Sequence, residues 1–272
     1  MKKNATRITT IVAVLLSLLW IFGLAWSIQD FYYGKAAVAE EKEPSEKVTE
    51  NKKTAVSKDM TVVALGDSLT RGTGDETGKG YVGLVTDNLK EQLSPQKLIV
   101  YNMGIKGQTS SELLQQMGQP QMGRQIQEAD VVLMTIGGND LFQQGKTLEN
   151  LDLPQVQQLQ THYLANLQKI FTTIREHNDQ TTVFVLGLYN PFIDLENSNV
   201  TNNIVREWNY ATETLAGQFD KIVFVPTFDL FQLSVNDYLY SDKFHPNQAG
   251  YQLISDRLVS LINWEKEVKQ DD

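Results

Sequence analysis

The sequence predicts an α/β fold built on a five-stranded parallel sheet, on three observations. From Met60 onward, short β-branched apolar runs alternate with amphipathic segments. The run Ala129–Ile136 (ADVVLMTI) is apolar on both faces, as expected of a strand covered by helices on either side. Polar, glycine-containing motifs follow the ends of several runs, where sheets of this kind form their sites.

The elements follow in order. Thr61–Leu65 (TVVAL) reads as the first strand and Tyr81–Leu93 as a helix. Leu98–Tyr101 reads as a second strand, Ser110–Met117 as a short helix and Ala129–Ile136 as the third strand. Leu153, Val156, Leu159, Tyr163, Leu167, Ile170 and Ile174 recur at spacings of three and four, the pattern of one long amphipathic helix. Thr182–Leu186 and Ile222–Val225 read as two further buried strands, with a helix over about Val200–Phe219 between them. Asn247–Trp264 closes the chain as a helix. Right-handed crossovers are expected for parallel neighbours.

Ahead of this region, Lys2, Lys3 and Arg7 precede an uncharged run from Ile8 to Ile28. At the helical rise that run spans roughly 30 Å, the thickness of a bilayer's hydrocarbon core. Trp20 and Trp26 lie toward its outer end, and Tyr32 and Tyr33 follow, where aromatic side chains favour the water interface. The basic flank should stay cytoplasmic and place the rest of the chain outside. Residues 1–30 therefore read as a transmembrane signal anchor. The alternative is a cleaved signal peptide, with Ala25-Trp26-Ser27 as its nearest small-x-small site. From about Gly34 to Lys58 the chain is charged with both signs and nearly free of large apolar side chains, so residues 31–58 read as a flexible linker; a helical stalk, interrupted by Pro44, is the alternative. Residues 59–272 are then the folded domain, and the domain is cell-surface or, after cleavage, secreted.

Composition narrows the chemistry. A net charge of −9 argues against nucleic-acid binding, which needs a basic face. The absence of cysteine excludes disulfides, thiolate catalysis, cysteine-based zinc sites and a lipidated cysteine. No two histidines have metal-ligand spacing, which argues against a zinc hydrolase.

Four motifs remain. Gly66-Asp67-Ser68-Leu69-Thr70 follows the first strand, and a serine in a strand-to-helix turn suits an exposed nucleophile whose own amide helps hold an oxyanion. Asn102-Met103-Gly104 follows the second strand; Gly104 either offers an unobstructed backbone N–H or only supplies a positive φ. Ile136-Gly137-Gly138-Asn139-Asp140 follows the third, with Asn139 as a carboxamide donor and Asp140 read as a helix cap. Asp242-Lys243-Phe244-His245-Pro246 precedes the last helix. One local turn there brings the Asp242 carboxylate to Nδ1 of His245 and leaves Nε2 free to take a serine proton. Pro246 stiffens the chain and can open the helix. His162 and His177 have no such partner in sequence and read as surface or satisfied residues. Gly72, Gly74, Gly78 and Lys79 do not fit a phosphate-binding loop.

Together these segments resemble the SGNH/GDSL hydrolase family, in its bacterial exported lipase/acylhydrolase form. VVALGDSLTRG, NMGIKGQTS, TIGGNDL and DKFHPNQAGY carry the likeness, which runs from about Met60 to the end. The resemblance implies a three-layer α/β/α flavodoxin-like fold. It also implies Ser68, Gly104, Asn139 and His245 as signature positions, with Asp242 completing a triad and the Ser68 and Gly104 amides and Asn139 forming an oxyanion hole. The expected activity is hydrolysis of a carboxylic ester, on a lipid or on an acylated cell-wall glycan, without a cofactor. The segment Tyr189–Val200 and the loop Phe142–Leu153 should shape the pocket. Two other classes compete: a non-catalytic cell-surface binding or assembly protein keeping the fold, and a phosphate- or nucleotide-binding α/β domain. Loss of Ser68 or His245 would mark the first, and a phosphate loop the second; the sequence has neither mark.

Overall fold

Five parallel strands form one sheet in the order β2-β1-β3-β4-β5. They are β1 (Met60–Gly66), β2 (Leu98–Asn102), β3 (Val131–Thr135), β4 (Thr182–Leu186) and β5 (Ile222–Val225). The computed structural model describes residues 59–93, 97–149, 152–194 and 198–262. The expected membrane-spanning run and the linker lie outside these residues. Among the described residues, no helix is long and apolar enough to cross a membrane.

The two-residue period of the strands sorts their side chains onto two faces. Val63, Leu65, Val132, Met134, Val183 and Val185 face one layer of helices: α3 (Ser110–Met117), α4 (Pro120–Glu128), α7 (Leu153–His177) and α8 (Ser198–Ala216). Within it, Tyr163 of α7 stacks on Trp208 of α8 with ring centroids 4.8 Å apart. Val62, Ala64, Val131, Leu133, Phe184 and Leu186 face the other layer, formed by α2 (Gly80–Leu93) and α11 (Gln248–Leu261). Each of the buried Val, Leu, Met and Phe side chains contributes roughly 1.5–3 kcal/mol by leaving water. The result is the expected α/β/α arrangement.

The short elements are α1 (Ser68–Arg71), α5 (Gly138–Phe142), α6 (Lys146–Glu149), α9 (Phe228–Phe231) and α10 (Val235–Tyr238). Several expectations need correction. Ala129 belongs to the end of α4, where its amide bonds the Ile126 carbonyl, so β3 starts at Val131. The helix α4 was not expected; only Met122 and Ile126 give it an apolar stripe. β5 is an edge strand rather than a fully buried one, and Val223 is 36% exposed. Leu153 was assigned to the apolar stripe of α7 but is 53% exposed, because it occupies the helix's first turn beyond the sheet contact. Pro246 does not open α11. Asn247 caps that helix, its side chain accepting from the Gly250 amide at 3.0 Å.

The strand order reverses between β1 and β3, so the loops leaving these two neighbours diverge to opposite sides and open a crevice. Ser68 follows β1 and Asn139 follows β3, which puts both at that crevice. Gly66 makes the exit from β1 possible: its φ is +121°, and a Cβ there would sit 1.7 Å from the Thr135 carbonyl oxygen.

Candidate active site

Asp67 is the N-cap of α1 and accepts from the Leu69 amide at 3.0 Å. This cap makes Ser68 the first helical residue, where the amide has no intrahelical acceptor and points out of the helix end. Ser68 is 2% exposed, yet its Oγ lines the crevice and lies 2.8 Å from Nε2 of His245. His245 comes from the turn ahead of α11. Lys243 adopts a left-handed conformation with φ +56°, which folds the chain back over Asp242. The Asp242 carboxylate then meets His245 Nδ1 at 2.7 Å and accepts from the Phe244 and His245 amides, each at 3.0 Å. Burial pushes the Asp242 carboxyl up, but these bonds outweigh it and hold the group below its ordinary range. Further bonds fix the turn. Tyr240 donates its amide to the His245 carbonyl at 2.8 Å, and the Tyr189 hydroxyl donates to the Phe244 carbonyl.

The three expected oxyanion donors stand differently. The Ser68 amide is placed as the helix start dictates. Asn139 lines the same crevice and gives one of its two N–H groups to the Gln108 carbonyl at 2.9 Å, which leaves the other for a ligand. The Gly104 amide donates to Asn102 Oδ1 at 3.0 Å, and Asn102 Nδ2 is anchored on the Thr70 carbonyl at 2.8 Å. Gly104 has no positive φ. A Cβ on it would fall 2.7 Å from the Arg71 nitrogen and 2.8 Å from Thr70 Cγ2, so close packing on α1 is what requires glycine there.

Asp140 is not the cap of its own helix. It accepts from the amide of Ser110 at 2.9 Å and from the Ser110 hydroxyl, so it closes the N-terminus of α3 instead. This ties the Gln108–Ser110 loop to the Asn139 loop. Asn166 of α7 extends the tie by donating to Ser110 Oγ at 3.0 Å and Ser111 Oγ at 2.9 Å. The other histidines are satisfied elsewhere: His162 bonds Ser111 at 3.1 Å and His177 bonds the Thr173 carbonyl at 2.9 Å. Among the described residues, no cluster of acidic or histidine side chains could hold a metal ion.

Sequence reasoning missed a buried hydroxyl network beneath the serine. Tyr81 Oη lies 2.8 Å from Thr70 Oγ1, which lies 2.8 Å from Thr135 Oγ1 and 2.9 Å from the Leu65 carbonyl; Thr135 Oγ1 reaches Asp67 Oδ1 at 2.8 Å. Three hydroxyls cannot place a proton in all of these oxygen–oxygen contacts. Thr135 donates to Asp67 and Thr70 to the Leu65 carbonyl, which leaves the Thr70–Thr135 contact without a proton of its own. Burial raises the Asp67 carboxyl to about 6, against the bonds from Thr135 and Leu69 and with help from the charge of Asp140.

A carboxyl raised in the folded state stabilises the fold fully below its unfolded value of 3.8, and that contribution is lost as the pH rises through about 6. Asp67→Asn keeps the neutral shape and removes the titration. The variant should therefore gain stability relative to the parent chain between pH 4 and pH 8, by about 2 kcal/mol. Urea unfolding at both pH values measures the difference; an unchanged gap would contradict a raised Asp67 carboxyl.

A nucleophile-type serine bonded to a carboxylate-held imidazole, at the switch point of a parallel sheet, is an arrangement suited to acyl transfer. The chain belongs to the GDSL-like lipase/acylhydrolase family, whose pattern matches residues 64–253, and it is a carboxylic ester hydrolase. It is 34% identical over 216 residues to the protein YpmR of Bacillus subtilis, covering 78% of this chain and 85% of YpmR. It is 30% identical over 202 residues to the spore germination lipase LipC of Bacillus licheniformis, covering 72% of this chain and 92% of LipC. Among solved structures it is similar to the lipase Lip_vut3 from a goat rumen metagenome, with a TM-score of 0.66, 28% identity, and coverage of 74% of this chain and 96% of that one. An acetylxylan esterase from Geobacillus stearothermophilus shares the fold at 21% identity and a TM-score of 0.57, over 76% of this chain and 96% of its own.

Proposed function

We propose that the chain hydrolyses its ester through an acyl-enzyme formed on Ser68. The observation that carries this reading is the unbroken line from Asp242 through His245 to Ser68, with contacts of 2.7 and 2.8 Å. His245 Nε2 takes the Ser68 proton as Oγ attacks the ester carbonyl carbon. The new oxyanion is met by the Ser68 amide and the free N–H of Asn139. A donor aimed at such a developing charge typically lowers the barrier by about 3 kcal/mol. The Gly104 amide joins them only if the Asn102 carboxamide releases it. Asp242 keeps the proton of the imidazole on Nδ1 and stabilises the imidazolium. His245 then protonates the leaving alcohol, and a water repeats the sequence on the acyl-enzyme to release the acid.

The substrate is a small or medium acyl ester on a lipid or on a cell-wall glycan. The lipase names of LipC and Lip_vut3 support the lipid arm. An N-terminal anchor over residues 8–28, with the catalytic domain outside the cell, would hold the site near either substrate; this part of the proposal rests on the sequence alone. Recovery of the protein in washed membranes supports the anchor, and recovery of a shortened chain in the medium contradicts it. The enzymatic reading is tested by turnover of p-nitrophenyl acetate by the purified full chain. Turnover that requires Ser68 supports it, and turnover that survives loss of that hydroxyl overturns it.

A further inference from the structure

Beside Ser68, between the loops that leave β3 and β4, lies a cavity with about 30 Å³ open to the centre of a water-sized sphere. A space of that size accommodates a chain of a few heavy atoms. Its walls are apolar: Ile136, Phe142, Leu186, Leu188, Pro191 and Phe244. Of the polar side chains that also reach it, Thr135 donates to Asp67 Oδ1, Tyr189 donates to the Phe244 carbonyl, and Asn139 gives one of its two N–H groups to the Gln108 carbonyl.

The far wall is fixed. Phe142 meets Phe192 edge-on with ring centroids 5.1 Å apart and Phe244 edge-on at 6.0 Å. Phe192 lies 6.0 Å from Phe244, so the three rings close on one another. The Phe244 backbone is in turn held by the Tyr189 hydroxyl, and the Tyr189 ring stacks on Phe231 at 4.2 Å. A longer guest would have to open this packing, and close-packed interiors resist even one added methylene.

We propose that this cavity is the acyl-chain site and that it selects unsubstituted short acyl groups of a few carbons over long-chain ones. The inference rests on the Ser68 acyl-enzyme reading. With the carbonyl carbon at Ser68 Oγ and its oxygen toward the Asn139 N–H, the remaining few carbons fill the cavity. A charged or hydroxylated chain finds no partner on these walls. The alcohol half does not fit in so small a space and extends toward solvent, so the selection falls on the acid and leaves a glycan or a lipid alcohol equally acceptable.

The experiment measures kcat/KM of the purified full chain for p-nitrophenyl acetate, propionate, butyrate, hexanoate and octanoate, with fluorophosphonate labelling of the same preparation. The expected result is a decline of at least tenfold from propionate to octanoate. In Phe142→Val, which shortens the wall, the hexanoate-to-acetate ratio should rise at least tenfold. Phe192→Ala, which removes the ring behind Phe142 from a half-buried position, should move the ratio the same way and serves if the first variant does not fold. Octanoate turned over as well as acetate overturns the short-acyl inference and leaves the acyl-enzyme reading standing. Unchanged ratios in both folded variants overturn the role of the aromatic wall. No turnover of any ester and no labelling overturn the acyl-enzyme reading, and the acyl site with it.

Discussion

Replacing Ser68 with alanine is expected to lower kcat for p-nitrophenyl acetate by about 10⁶-fold, the loss typical of removing a nucleophile that acts as one unit with its base. The substitution deletes a single oxygen and one hydrogen bond, to His245. The Asp67 cap, the position of Ser68 at the helix start and the buried network below it are left in place. Alanine is also the better helix former. Thermal unfolding should therefore be close to that of the parent chain, so the loss reads as chemistry and not as unfolding. Activity within tenfold of the parent in a folded variant would remove Ser68 from the mechanism.

Asp242→Asn is the second large effect, expected at about 10⁴-fold in kcat with KM little changed. The Asn oxygen can still accept the Phe244 and His245 amides, so the turn should keep its shape. The side chain facing Nδ1 becomes an N–H donor, however, and forces that nitrogen to accept. The ring proton then sits on Nε2, facing Ser68, where it blocks general-base action. Asp242 is partly exposed, and water can compete for Nδ1. Even so, a loss below tenfold would mean that the carboxylate does not set the tautomer.

The sheet and its site were legible in the sequence to different degrees. Central strands such as β1 are apolar throughout because both faces are covered, and this makes them visible. β5 was read as buried because its four residues are all apolar, and nothing local reveals that it is the last strand. The helix α4 begins at a proline and has only two buried large apolar side chains, too few to define a period. Within the site, the Asp242–His245 pairing is local and follows from spacing. The pairing of Ser68 with His245 joins residues 177 positions apart and became visible only through the family's motif order and the strand-end rule.

Other features depended on tertiary packing. Asp67 stands in a turn of residues that are usually solvated, and its burial against Thr135 becomes visible only when β1 and β3 are paired. Asp140 has the composition of a cap, but it caps a helix thirty residues earlier. Gly104 was read as an amide donor or as a positive-φ position, whereas its backbone shows a third requirement, close approach to α1. In each case the residue type was informative and the partner was not, because the partner lies on another crossover of the sheet.

The central claim is that the Ser68 hydroxyl is made reactive by His245. Its most direct measurement is reaction of the purified full chain with a fluorophosphonate, followed by mass spectrometry of the labelled peptides, beside His245→Ala treated in the same way. The account predicts one phosphonyl group per chain, carried on Ser68, and labelling slowed by several orders of magnitude in the variant. Label on a different residue, no label at all, or equal rates in the two proteins would contradict it.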